Sequence, residues 1–272
     1  MSAQPWHKKP KSYVIISLAV ILLIAALLSS DSKGIFNAIV AGITAVGMDW
    51  ICFRLRKRKK WIPDGAVITG LIIALILSTA TTWYIVAITA TMAILSKHLL
   101  VYKNKPVFNP AVFGLLLSIL CFQTGQSWWG AFGDLPAWTI GFLLVAGYAV
   151  TSRVNKFPQV FAFLSLYFLS LFLLGLIHVG GAADAFRPPF INASLFFALF
   201  MLTDPPTSPV SNKDQVVFGL LSAIVGVIIY SYFGGLMYLF IGLLISNAYH
   251  VIRSRTVSNI VYNSKRNPPI SK

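Results

Sequence analysis

The chain has 272 residues, of which 57% are hydrophobic and 11% charged, with a mean hydropathy of +0.78. A water-soluble domain carries about 25% charged residues, so this composition excludes one; a bilayer is the natural solvent for so much apolar surface. The net charge of +15 does not signal a nucleic-acid partner, because Lys and Arg stand in short runs between apolar stretches, as juxtamembrane anchors do.

The N-terminal MSAQPWHKKPKS leads into an apolar run that ends at Ser29-Ser30-Asp31 without a small-residue cleavage pattern. It therefore reads as a retained first helix rather than a signal peptide. A spanning helix needs about 20 apolar residues. Such runs lie near 13–30, 35–53, 65–80, 83–100, 110–127, 136–152, 158–178, 190–203, 215–232 and 235–252. The expectation is an all-α membrane protein of about ten transmembrane helices. Residues 1–12 form a tail, 13–252 the polytopic domain and 253–272 a basic tail.

With the N-terminus inside, this division puts 20 Lys and Arg in cytoplasmic segments and only Lys33 and Arg187 outside. The asymmetry predicts both termini in the cytoplasm, and it holds only for an even number of helices. Ten helices divide into five and five, and an odd-numbered repeat must be inverted across the membrane. Asp64-Gly65-Ala66-Val67 opens the third helix and Asn192-Ala193-Ser194-Leu195 opens the eighth, a faint echo of such a repeat.

Three strings at the cytoplasmic ends carry candidate chemistry. In Pro63-Asp64-Gly65-Ala66-Val67-Ile68-Thr69-Gly70, Asp64 is placed to N-cap the third helix. In Phe108-Asn109-Pro110-Ala111, Asn109 caps and Pro110 opens the fifth. Leu202-Thr203-Asp204-Pro205-Pro206 stops the eighth, which leaves Asp204 at the negative end of a helix dipole. A carboxylate there needs a basic partner, a cation or its own proton, and Lys213 and the 54–60 cluster are the partners at hand. Capping and a salt bridge are the plain structural readings of these strings. The functional reading is a polar or ion site lined by Asp64, Thr69, Asn109, Thr203 and Asp204.

Elsewhere, Asp49 is expected to snorkel toward Arg54 or the interface, and His98 to lie at the interface. Trp128-Trp129 reads as an outer aromatic belt. Cys52 and Cys121 are too far apart in the expected topology for a disulfide. No Walker A, GxGxxG, HExxH or nucleophile-elbow string occurs, which speaks against stand-alone catalysis of those kinds.

Taken together, PDGAVITGLIIAL (63–75), KPVFNPAVFGLLL (105–117) and INASLFFALFMLTDPPTSP (191–209) resemble the D subunit of Rnf electron-transport complexes and the B subunit of the sodium-pumping NADH:quinone oxidoreductase. The resemblance runs over roughly residues 35–250. It implies ten helices in two inverted halves, a bacterial cytoplasmic membrane, partner membrane subunits, and coupling of electron flow to Na⁺ or H⁺ movement. It also implies flavin, in that family carried partly as FMN on a Thr within a Ser-Gly-Ala-Thr-type string. No such string occurs here, and Thr124-Gly125 has the wrong order. Covalent FMN is therefore not carried over, and noncovalent FMN or riboflavin is the cofactor expectation. A flavin-free transporter or channel and a scaffold subunit are the alternatives.

Overall fold

A computed structural model describes residues 9–57, 60–178 and 182–266. Ten α-helices follow one another among the described residues: α1 (Pro10–Ser29), α2 (Ser32–Leu55), α3 (Asp64–Ile76), α4 (Trp83–Leu99), α5 (Pro110–Phe122), α6 (Ile140–Val154), α7 (Phe157–Leu176), α8 (Pro188–Phe196), α9 (Asn212–Phe233) and α10 (Met237–Arg266). A turn of π-helix (Phe197–Met201) prolongs α8. Two short paired strands, β1 (Val101–Tyr102) and β2 (Lys105–Pro106), join α4 to α5. The chain is a multi-pass, all-α membrane protein. Among the described residues, five segments are long and apolar enough to cross a bilayer, and four further apolar helices are shorter.

The short helices explain the middle of the molecule. At 13 residues each, α3 and α5 extend about 20 Å, less than the roughly 30 Å of bilayer hydrocarbon. The last carbonyls of α3 would be stranded at membrane depth unless protein met them. The segment after α5 does so. Ser127 and Trp128 N–H bond the Ile76 carbonyl at 3.0 and 3.1 Å, and Ser78 N–H bonds that of Gly125 at 3.0 Å. Trp129 Nε1 bonds the Ala74 carbonyl at 2.6 Å. Asn37 Nδ2 on α2 bonds the carbonyls of Thr79 and Thr81 at 3.1 and 2.9 Å.

This arrangement corrects the aromatic-belt expectation. Trp128 is 3% exposed and packs its ring against Phe196 and Phe240. Its residue type suited an interface, but the break after α3 draws the segment inward.

The two halves repeat their packing. α1 packs on α3 as α6 does on α8 and the π turn, and α2 on α4 as α7 does on α9. The α4–α5 and α9–α10 pairs share one device. A Cβ on Gly114 would stand 2.8 Å from the Thr89 carbonyl oxygen, while the Thr89 hydroxyl donates to Ser118 Oγ at 2.8 Å. A Cβ on Gly242 would stand 2.6 Å from the Ser222 carbonyl oxygen, while the Ser222 hydroxyl donates to Ser246 Oγ at 2.8 Å. In both pairs a glycine lets the backbones touch, and a serine one turn later accepts the neighbour's hydroxyl proton. The equivalents are offset by five helices in chain order, an odd number, so crossing helices in the two halves run in opposite senses.

Three boundaries differ from expectation. Asp64 is the first residue of α3 rather than its cap, which is Pro63. α8 opens at Pro188, four residues before Asn192, because proline is well suited to the first helical turn; the Asn192 echo therefore falls inside the helix. α10 runs to Arg266, beyond the predicted end at 252. No proline interrupts it before Pro268, and about 45 Å of helix exceeds the hydrocarbon.

Candidate functional site

The starts of α1, α3 and α5, the end of α4 and the loop after the π turn enclose one cavity of about 770 Å³ at the basic end of the bundle. Asp64, Thr69, Asn109, Thr203 and Asp204 all line it. The five residues singled out in the sequence therefore converge, although 140 positions separate the first from the last.

Local structure accounts for four of them. Thr69 and Thr203 donate their hydroxyl protons within their own segments, to the Gly65 and Leu199 carbonyls at 2.9 and 2.7 Å. Their oxygen lone pairs remain as acceptors. Asn109 caps α5 as expected, its side-chain oxygen accepting from Val112 N at 3.3 Å. Its amide nitrogen reaches the Met201 carbonyl at 3.2 Å, at the end of the π turn. Asp204 follows that turn and keeps part of its surface on the cavity. Its carboxylate accepts from the Thr207 hydroxyl at 2.9 Å.

The loop bearing Asp204 is clamped by four side chains, from α7 and its N-cap, α9 and α10. Gln159 Nε2 donates to the Leu202 carbonyl at 2.5 Å, Asn247 Nδ2 to that of Thr207 at 3.0 Å, and Gln215 Nε2 to that of Val210 at 3.0 Å. Lys156 Nζ donates to the Pro209 carbonyl.

The charges acting on Asp204 are not the predicted ones. Lys11, Lys156 and Lys97 exert the attraction, whereas Lys213 lies exposed on the first turn of α9. Burial outweighs these ammonium groups and raises the Asp204 carboxyl above its usual range. Burial likewise pushes Lys156 down to about 8.

A second cluster on the same cavity escaped the sequence. Asp49 is 3% exposed and does not snorkel. Its Oδ1 lies 2.6 Å from Lys97 Nζ and 2.8 Å from His98 Nε2, and its Oδ2 accepts from Trp61 Nε1 at 3.1 Å. Arg54 instead stacks over Trp50. Arg56 donates to the His98 carbonyl, and His98 is 6% exposed, buried rather than interfacial. A carboxylate one turn inside an apolar run was the available signal. Lys97 and His98 lie nearly fifty positions on and meet it only because α2 packs on α4.

The lining carries Lys9, Lys11, Lys60, Lys97 and Lys105 against Asp49, Asp64 and Asp204, so it is net positive. Its volume falls within the roughly 300–1,000 Å³ typical of small-molecule sites. Phe53, Trp61, Ile68, Ile72 and Phe200 form apolar wall. The chemistry on offer is a flat apolar surface edged by ammonium groups, hydroxyl oxygens and one carboxyl of raised affinity for protons. No group of three or more His, Cys, Asp or Glu is arranged to hold a metal among the described residues.

Known proteins resemble this chain in sequence. The model of the NQR2, RnfD, RnfE family matches residues 4–139, half of the chain. The D subunit of an ion-translocating oxidoreductase complex from Pseudomonas paraeruginosa is 24% identical over 246 aligned positions, covering 68% of this chain and 72% of that protein. The D subunits of the same kind of complex from Aeromonas salmonicida and Salmonella paratyphi A are 28% identical over 144 and 30% over 99 positions. These matches cover 50% and 35% of this chain, and 41% and 28% of those proteins.

Proposed function

The chain belongs to the NQR2, RnfD, RnfE family, and from that premise we propose that it is a membrane subunit of an Rnf-like complex that couples electron transfer to Na⁺ or H⁺ movement. It acts with other membrane subunits, in the bacterial cytoplasmic membrane, with both termini and the cavity on the cytoplasmic side. The 20-to-2 partition of Lys and Arg supports that orientation. The relatives are named as subunits of ion-translocating oxidoreductase complexes, which supports the coupling and the need for partners.

The observation that carries the site is the convergence of Asp64, Thr69, Asn109, Thr203 and Asp204 on one cavity. We assign the cavity to a noncovalent flavin, FMN or riboflavin. The apolar wall of Phe53, Trp61, Ile68, Ile72 and Phe200 suits an aromatic ring system, and the hydroxyls and amide at its edge suit polar ring atoms and a ribityl chain. A bound flavin would supply the one- and two-electron chemistry that these side chains lack. The chain's own residues provide the charge balance. Negative charge arriving in a low-dielectric cavity is held by the lysines and answered by a proton or cation on Asp204, whose burial already favours its neutral form.

The test is the visible absorbance spectrum of detergent-purified protein before and after denaturation. A flavin band released on denaturation is the expected result. Protein purified with its native partners that shows no flavin band would remove the cofactor and favour a transporter or scaffold on the same fold.

A further inference from the structure

We propose that the groove between α1 and α6 is a site for one anionic phospholipid from the leaflet at the basic end of the bundle, with an acyl chain in the groove and the phosphate at Arg153.

The groove encloses about 500 Å³ along the seam where the first helices of the two halves pack together. Ile16 and Val20 of α1 line one side, and Trp138, Phe142 and Val145 the other; all five are exposed. Exposed apolar side chains are ordinary on a surface that faces lipid. These differ in surrounding a hollow, and a Cβ on Gly141, which also lines it, would meet nothing within 4 Å. A hollow left empty forfeits dispersion contacts on both helices.

The depth of the groove favours a lipid chain over a crossing helix. Trp138 and Ala149, the two ends of its lining on the α6 side, stand about 17 Å apart at the helical rise. Ile16 and Ile21 on α1 are about 8 Å apart on the same basis. The bilayer hydrocarbon is roughly 30 Å thick, so the groove runs through about one leaflet.

The end of the groove at the basic face is cationic. Arg153 lies one turn beyond Ala149 and Tyr13 one turn before Ile16, and the Arg153 guanidinium stands 5.1 Å over the Tyr13 ring. That contact uses the flat face of the guanidinium, whose N–H donors point out from its edge. A phosphate reached by that edge accepts charge-assisted hydrogen bonds. Tyr13 belongs to the first turn of α1, which has Lys9 as its N-cap, no side-chain cap bond and no acidic residue in that turn. The helix end therefore favours the same sign of charge as Arg153 does. The groove also backs onto the cavity: Val14 and Val150 line the cavity, Ser17 and Ala149 the groove. A chain seated here closes the α1–α6 wall of the cavity against the bilayer.

The experiment strips lipid from the full-length protein in detergent and follows rebinding of phosphatidylglycerol or phosphatidylcholine, with the same acyl chains, by native mass spectrometry. Phosphatidylglycerol is expected to bind about fivefold more tightly. Arg153→Gln is expected to remove that preference while both lipids still bind. Gly141→Leu fills the groove and is expected to remove the bound lipid with the melting temperature unchanged. Equal binding of the two lipids, unaltered by Arg153→Gln, overturns the assignment of an anionic headgroup. Lipid binding that survives Gly141→Leu overturns the groove as the site. In native membranes, a benzophenone side chain placed at Val145 is expected to cross-link to lipid. A cross-link to another polypeptide instead makes the groove a helix interface and overturns the proposal.

Discussion

The backbone N–H of Asn109 donates to the side-chain oxygen of Asn247 at 3.0 Å, tying the start of α5 to the middle of α10 across the two halves. The Asn247 amide nitrogen then reaches the Thr207 carbonyl at 3.0 Å. One fully buried side chain thus fixes both the cap of a helix that lines the cavity and the loop that carries Asp204.

Asn247→Ala strands a buried N–H and a buried carbonyl at once. Each unsatisfied group costs about 1–3 kcal/mol, so the melting temperature in detergent is expected to fall by several degrees. Lys213→Ala, on an exposed turn, is the control and is expected to change stability by less than about 0.5 kcal/mol. Equal melting temperatures for the two variants would show that the Asn247 bridge is not structural.

The repeated glycine contacts make a paired prediction. Gly114→Leu and Gly242→Leu drive a side chain into backbone that already touches, and each is expected to cost about 1–3 kcal/mol. A Cβ on Gly141 would meet nothing within 4 Å, so Gly141→Leu is expected to be tolerated. Thermal unfolding of the three variants reads the result. Sensitivity at only one of the paired positions would break the equivalence of α4–α5 with α9–α10.

Asp204→Asn separates a working carboxyl from a structural one. Burial disfavours its charge, so removing that charge is expected to raise the melting temperature, on the order of 2–4 °C per kcal/mol gained. Ion-coupled electron transfer by the assembled complex is expected to be lost, with expression unchanged. A lower melting temperature together with intact coupling would make Asp204 a structural ion-pair partner of Lys11 and Lys156.

Lys156 sets a pH dependence. Its folded value near 8 lies below the ordinary 10.5, so between these values the unfolded chain binds more protons than the folded one. Stability therefore rises with pH from about 8 toward 10.5 and is flat, for this group, below 8. The wild type is expected to gain on Lys156→Met between pH 7 and 9.5 in paired melting curves. Parallel curves would mean that Lys156 is charged and solvated throughout.

Ten helices, their order, and the Asn109 cap followed by Pro110 were readable from sequence because bilayer thickness and capping chemistry act on neighbouring residues. The candidate site was readable in part for the same reason. Asp64, Asn109 and Asp204 sit where helix ends place unusual polar groups, and helices of one bundle share their ends. The sequence could not show that Asp49 meets Lys97, His98 and Trp61, that Lys156 rather than Lys213 acts on Asp204, or that Trp128 turns inward. Hydropathy counts how apolar a segment is, and a buried ion pair and a snorkelling side chain carry the same residues. Only the packing of α2 on α4, the clamped loop after the π turn and the broken ends of α3 and α5 determine which polar groups lose water, and with it which of them must find a partner.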